Sequence, residues 1–355
     1  EKDIQVVGVV GKKNSPTNAK AAIAKNSIQF FPEGGTLVAD VSSIVAFKAL
    51  NENGKSTEAT GTIVNDKGET VTKFATTYAG MGVCNFVPKQ DVEYKAIVSF
   101  KDGSKTEIEL PTVYSVGYGL SVQQIDTSIV LNIAANNATI ESNATKEILI
   151  AAKAAGKIIY KEKFSIKAGS LKVALGKSVF PNGISAITLY NEKLVPYAER
   201  LVYVENKNQQ IKVSITTDKT VYQNKEKTTI DITTTNGNNE PVAANLSLAV
   251  VDNNALKSFG SNILSYINLE SEIKGNIENP ASYFDTKNAK RFEQLDLLLR
   301  TQGWRDFLWK QLADSNFTIK YFPETGISLA GNVKATFGKK PLPNMNVTLI
   351  APNAK

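Results

Sequence analysis

Ser271 and Lys274 stand at the S-x-x-K spacing, which on a helix would set a lysine one turn from a serine nucleophile. The companion motifs S-D-N and K-T-G are absent, so the spacing reads as a chance match on an amphipathic stretch. A second candidate is "FFPEGG", Phe30 to Gly35, whose paired glycines could cradle a phosphate. No Lys-Ser/Thr follows, and "TLVAD" is strand-forming rather than the start of a helix. The glycines read as a turn that feeds the first sheet.

Histidine is absent and Cys84 is the single cysteine, which removes Ser-His-Asp triads, Cys-His dyads, Cys/His zinc sites and internal disulfides together. Paired carboxylates could still act as acid and base, yet no spacing singles out a pair. Glu107, Glu109, Asp231 and Glu240 fall at strand or turn positions where exposed charge is ordinary. "TTTNGNNEPV" offers oxygen ligands without the acid density of a calcium loop. The sequons at Asn137 and Asn143 are of a kind that arises readily in an Asn/Thr-rich β protein. The expectation is a chain with no catalytic residues, no metal site and no cofactor. Net charge is +7, but lysines and acids alternate, as in "YKEKFSIK", without a basic block interleaved with aromatics. Nucleic acid is therefore not an expected partner. No apolar run reaches the length of a membrane helix.

The elements that position these residues are short and alternating. "SIVAFKAL", "TGTIVND", "TVTKFATT", "EYKAIVSF" and "TEIELP" each place one side-chain set on a core and the other in water. "LNENGK" and "VNDKGE" are Asn-x-x-Gly hairpin loops in which glycine supplies positive φ. The pattern predicts a mostly β protein of tandem immunoglobulin-like antiparallel sandwiches. The expected units are the end of a preceding domain and linker at 1–26, then sandwiches at 27–113, 114–205 and 206–325. Residues 326–355 are expected to open a further, incomplete sandwich, so that the chain reads as an internal piece of a longer protein.

Inside the third unit period two is lost. A helical insertion is expected over about 262–312, with "NIENPASYF" as a proline-marked loop. Phe292, Leu295, Leu298, Leu299 and Gln302 fall on one helical face, Gly303 interrupts, and Trp304, Phe307, Leu308 and Leu312 resume the stripe. Tyr283, Phe284, Trp304 and Trp309 are the candidate partner-contact residues, because aromatics concentrate at binding hot spots. For Trp304 and Trp309, the only tryptophans, anchoring of the helices on the neighbouring sandwich is the favoured reading and a partner-contact surface the sharper one.

"QFFPEGGTLV", "SIVAFKAL", "TGTIVND", "GMGVCNFVP" and "EYKA", in that order, resemble a macroglobulin-like domain. "TDKTVYQNKEK", with its Lys-x-x-Tyr start, and "SLAVVD" are similar to a later domain of the same alpha-macroglobulin-type array. "NILSYINLESEIKG" and "LDLLLRTQGWRDFLW" narrow the resemblance to large envelope proteins of Bacteroidetes-type bacteria. In those, macroglobulin-like domains precede a carboxypeptidase-regulatory-like sandwich, similar to "ISLAGNVKATFGKKPLPNMNVTLI", and then a TonB-receptor-type plug domain.

The resemblance implies a non-enzymatic scaffold for protein partners in the cell envelope, periplasmic or outer-membrane associated. It also implies secretion through a signal peptide outside this chain, and work within a TonB-linked assembly. The alternative it carries is a protease trap, with Asn253 to Thr325 standing where macroglobulins keep their bait. The Cys-Gly-Glu-Gln thioester is missing, however, and Cys84 sits in an apolar run. An enzyme with an unrecognised carboxylate site is the third possibility. Cys84 is expected to be a buried, neutral thiol.

Overall fold

The computed structural model describes residues 25–143, 147–206, 210–251 and 260–304. Contacts divide the chain into units 1–313 and 314–355, and every described residue belongs to the first.

In the first sandwich, β1 (Ser27–Pro32), β3 (Ser43–Leu50) and β6 (Met81–Phe86) form one sheet in the order β1-β3-β6. The facing sheet has the order β5-β4-β7-β8, from β4 (Ala59–Asn65), β5 (Thr70–Ala75), β7 (Tyr94–Phe100) and β8 (Lys105–Glu109). Ile28, Phe30, Val45, Phe47, Ile63, Phe74, Cys84 and Val98 meet between them. Alternation along each strand delivers these residues to one face, and Phe30, Phe47 and Phe74 pack ring to ring at 4.8–5.8 Å. Short β2 (Leu37–Val38) and β9 (Val113–Tyr114) pair in parallel where the chain leaves this sandwich.

The second sandwich sets the sheet β10-β11-β14 against β13-β12-β15-β16. Its strands are β10 (Tyr118–Ile125), β11 (Ser128–Ala135), β12 (Glu147–Ala154), β13 (Lys157–Ser165), β14 (Ser170–Gly176), β15 (Gly183–Tyr190) and β16 (Pro196–Val204). Leu120, Leu131, Ile133, Ile150, Phe180, Ile187 and Val202 fill its core. The short helix α1 (Asn137–Ser142) is capped by the Asn136 side chain, which accepts from the Thr139 N–H. Among the described residues, all sheet pairings but β2–β9 are antiparallel, as the period-two pattern predicts.

One loop design recurs. Asn51 Oδ1 accepts from the N–H groups of Asn53 and Lys55, and Asn65 Oδ1 from those of Lys67 and Glu69. Asn191 and Asn236 do the same at Lys193/Val195 and Asn238/Glu240. The fourth residue of each loop must take positive φ; Gly54 (+70°) and Gly68 (+78°) do so without strain, whereas Leu194 (+60°) and Asn239 (+64°) carry a Cβ there.

Within 206–325, the described residues give a two-stranded sheet of β17 (Lys212–Thr217) and β18 (Ile230–Thr235), followed by a helical segment. That segment comprises α2 (Ile263–Ser265), a π turn at Tyr266–Glu270, a 3-10 turn at Pro280–Phe284 and α3 (Arg291–Thr301). The proline-marked stretch is thus partly helical, with Pro280, Tyr283 and Phe284 buried.

The helical face also departs from expectation. Leu295, Leu298 and Leu299 are buried, but Leu297 is buried with them and Phe292 is 47% exposed. Neighbours on more than one side of α3 explain the wider stripe. α3 ends at Thr301, and at Gly303 just beyond it a Cβ would lie 2.7 Å from the Leu299 carbonyl and 3.2 Å from Leu201 Cδ1. Phe307, Leu308, Trp309 and Leu312 lie outside the described residues.

Two outcomes follow from this packing. Gly54→Val and Gly68→Val meet open space, so their cost is backbone strain alone. Each is expected to lower unfolding free energy by about 1–2 kcal/mol in urea titrations. Cys84 is buried, its Sγ donates to the Val45 carbonyl at 3.6 Å, and burial pushes its pKa up to about 12. Folded protein is expected to resist a thiol reagent such as dithiobis-nitrobenzoate at pH 8, with one thiol per chain appearing only in denaturant.

Candidate functional site

"FFPEGG" leads to the centre of the junction between the sandwiches. β1 ends at Pro32, and the Glu33 N–H still donates to the Ile44 carbonyl at 2.8 Å, which fixes the residue against β3. Gly34 (φ +83°) then turns the chain onto the second sandwich, where the Glu199 N–H donates to its carbonyl at 3.2 Å. A Cβ at Gly34 would stand 3.2 Å from Leu120 Cβ and 3.3 Å from Ala198 Cβ, so the close approach adds to the demand for glycine.

The turn leaves the Glu33 side chain 1% exposed. Its Oε1 accepts from Arg200 Nε at 3.0 Å and from the Val122 N–H at 3.1 Å, and its Oε2 accepts from Arg300 Nη1 at 2.6 Å. Asp296 closes the set: Oδ1 accepts from Arg200 Nη2 at 2.6 Å and Oδ2 from Arg300 Nε at 2.7 Å. Two carboxylates and two guanidinium groups thus join the first sandwich, β10 and β16 of the second, and α3. Remaining donors are also used, since Arg200 Nη1 donates to the Leu201 carbonyl and Arg300 Nη2 to that of Val122. Burial pushes the Asp296 carboxyl up, but Arg200 and Arg300 more than reverse this and hold it below the usual carboxylate range. A second bridge, Arg291 to Glu205 at 2.7 and 3.2 Å, ties the first turn of α3 to the end of β16.

An apolar layer surrounds the clamp. Met81 of the first sandwich, with Ile184, Leu201 and Tyr203 of the second, packs against Leu269, Ile273, Ile277, Tyr283, Phe284, Leu295, Leu298 and Leu299. Tyr283 and Phe284, named as partner-contact candidates, are therefore interior: they pack edge-on against Tyr78 and Tyr203. Their surface is spent on holding the helical segment to the sandwiches, which corrects the expectation of an outward role. Trp304 is half-buried; its Nε1 donates to the Pro32 carbonyl at 2.8 Å and its ring lies 5.5 Å from that of Phe31. Trp309 lies outside the described residues.

Ser271 sits at the end of the π turn and donates to the Ile267 carbonyl, and no hydrogen bond joins it to Lys274 among the described residues. Glu107, Glu109, Asp231 and Glu240 lie on strands or turns away from the clamp. No group of three or more His, Cys, Asp or Glu suited to a metal ion occurs among the described residues. No helix among them is long and apolar enough to cross a membrane. Sequence reasoning weighed Glu33 only as part of a phosphate loop and did not single out Arg200, Asp296 or Arg300. The available signal was an acid between a strand end and two glycines, with Asp296 and Arg300 four apart beside the apolar stripe.

A family model for the alpha-2-macroglobulin bait region domain matches residues 122–257, under half of the chain, from within β10 to beyond β18. None of the curated proteins matches. Among solved structures the chain is similar to native Escherichia coli alpha-2-macroglobulin, at 8% identity and TM-score 0.19, over 60% of this chain and 17% of that one. It is also similar to fibronectin(III)-like modules of Clostridium thermocellum CbhA, at 11% identity and TM-score 0.21, over 52% and 96%. Domains 4–9 of the surface-layer protein SbsC align at 15% identity and TM-score 0.28, over 54% and 33%. The chain thus spans 17% of the Escherichia coli macroglobulin and a third of the SbsC fragment.

The clamp sets two expected outcomes. Arg200→Met leaves Glu33 buried against a single cation and is expected to lower unfolding free energy by about 3 kcal/mol in urea titrations. Asp296 has a folded pKa below its unfolded value of about 3.9, so its stabilisation is complete above that value and is lost as pH falls through the folded pKa. Thermal melts from pH 6 to pH 2 should show a loss of stability below about pH 4 that is smaller in Asp296→Asn.

Proposed function

We propose that this chain is a non-enzymatic scaffold and protein-interaction segment that holds two β-sandwiches and a helical layer as one mechanical piece. The observation that carries the reading is the Glu33–Arg200–Asp296–Arg300 clamp, whose charged groups are spent on one another at a three-element junction. Glu33 is without the exposure that acid–base work on a substrate needs, and each oxygen of Asp296 already accepts from an arginine. The finer reading is a segment of a large bacterial envelope protein, periplasmic or outer-membrane associated, upstream of a carboxypeptidase-regulatory-like sandwich and a TonB-linked plug. Its support is the residue resemblance at "QFFPEGGTLV", "LDLLLRTQGWRDFLW" and "ISLAGNVKATFGKKPLPNMNVTLI".

The bait-region match over 122–257 favours a second reading, a macroglobulin-type protease trap without a thioester. The two differ in what a protease meets. A bait must be extended and cleavable, and its cleavage must change the molecule's dimensions. A scaffold keeps the junction closed.

Hydrogen exchange separates them, because amides of α3 can exchange only when its buried leucines are exposed. Strong protection is expected at Arg291–Thr301, together with sandwiches that stay associated after limited proteolysis. Cleavage by several proteases within 210–251 or the helical segment, followed by compaction and retention of the protease, would transfer the function to the trap.

A further inference from the structure

Beside the clamp lies a cleft of about 670 Å³ between β10 and α3, and its wall contains an open strand edge. β10 is the outer strand of β10-β11-β14. Val122 turns its N–H to Glu33 and its carbonyl to Arg300, away from β11. Antiparallel pairing alternates these directions, so Gln124, two residues on, also points its N–H and carbonyl outward. Neither backbone group has a hydrogen-bond partner among the described residues, and Gln123, Gln124 and Ile125 are all exposed. The usual protections of an edge (lysine, proline, a bulge) are missing from these three residues.

The chemistry of the cleft selects its occupant. Phe292 and Ile125, each 47% exposed, give it an apolar surface. Four carboxylates line it against two cations, in a chain whose net charge is +7. Glu205 and Asp296 are bound by arginines, whereas Asp126 and Glu293 have no ion-pair partner among the described residues. We propose that the cleft binds an extended peptide segment of a protein partner by strand addition to β10 at Gln124. An apolar side chain of that segment would lie on Phe292 and Ile125, and a basic one would face Asp126 and Glu293. The proposal rests on the interaction-scaffold reading and gives it a partner class: backbone bonds supply affinity, alternate side chains specificity.

The test uses the whole chain and a fluorescein-labelled octapeptide of alternating lysine and valine, read by anisotropy. Its glutamate–valine counterpart serves as a control, as do two versions N-methylated at every second residue, one for each parity. Saturable binding of the lysine–valine peptide is expected, with none of the acidic one. One methylated version should bind about tenfold more weakly, because its missing N–H groups include the one that would meet the Gln124 carbonyl. The other should bind unchanged. Asp126→Lys with Glu293→Lys, both on the surface, should weaken binding similarly, and Gln124 should gain exchange protection only when peptide is bound. Absence of binding, equal binding of both methylated versions, or indifference to the charge reversals would each overturn the proposal. Protection of α3 is measured on the free chain, so failure here leaves the scaffold reading to stand or fall separately.

Discussion

A carboxylate that is almost wholly removed from water must be met by positive charge and hydrogen-bond donors, and Glu33 imposes that constraint on the whole junction. Its own strand ends one residue earlier, so local structure cannot satisfy it. β10 supplies a backbone N–H, β16 supplies Arg200, and α3 supplies Arg300, from positions 89, 167 and 267 residues away. Asp296 then balances the second guanidinium charge. A shift of any contributing element leaves an ion buried without its partner, an outcome costing several kcal/mol.

Directional bonds of this kind fix the arrangement, while apolar burial supplies most of its free energy. Leu295, Leu298, Leu299, Tyr283 and Phe284 are removed from water against Met81, Leu201 and Tyr203. Burial of each such side chain contributes on the order of 1.5–3 kcal/mol before ordering costs are subtracted. Apolar contact alone would tolerate sliding of α3 along the sandwich faces. The paired arginines remove that freedom, because a planar guanidinium donates to its partners in few geometries.

The same economy separates committed surface from available surface. Tyr283 and Phe284 of the helical segment are turned inward, so these two aromatics serve as anchors. Beside the cleft, Phe292 and the last residues of β10 stay outward, as do Asp126 and Glu293, which have no ion-pair partner among the described residues. A rigid junction gives that patch a fixed geometry, and a fixed geometry lowers the ordering cost of binding.

The β class, the antiparallel pairing, the Asn-x-x-Gly loops and the buried state of Cys84 were legible in the sequence. Each depends on interactions between residues close in the chain or on simple alternation. Period two decides which side chains face a core, and a positive-φ turn position declares itself by its glycine. Those features were therefore legible. The clamp was not. Glu33, Arg200, Asp296 and Arg300 are ordinary charged residues until three distant elements converge, and no local pattern marks a carboxylate that will lose its water. The inward turn of Tyr283 and Phe284 and the outward turn of Phe292 were likewise decided by which faces of α3 found neighbours. Local sequence thus determined the strands and their turns. Tertiary packing chose which charges would be buried, because desolvation is a property of the assembled junction and of no segment within it.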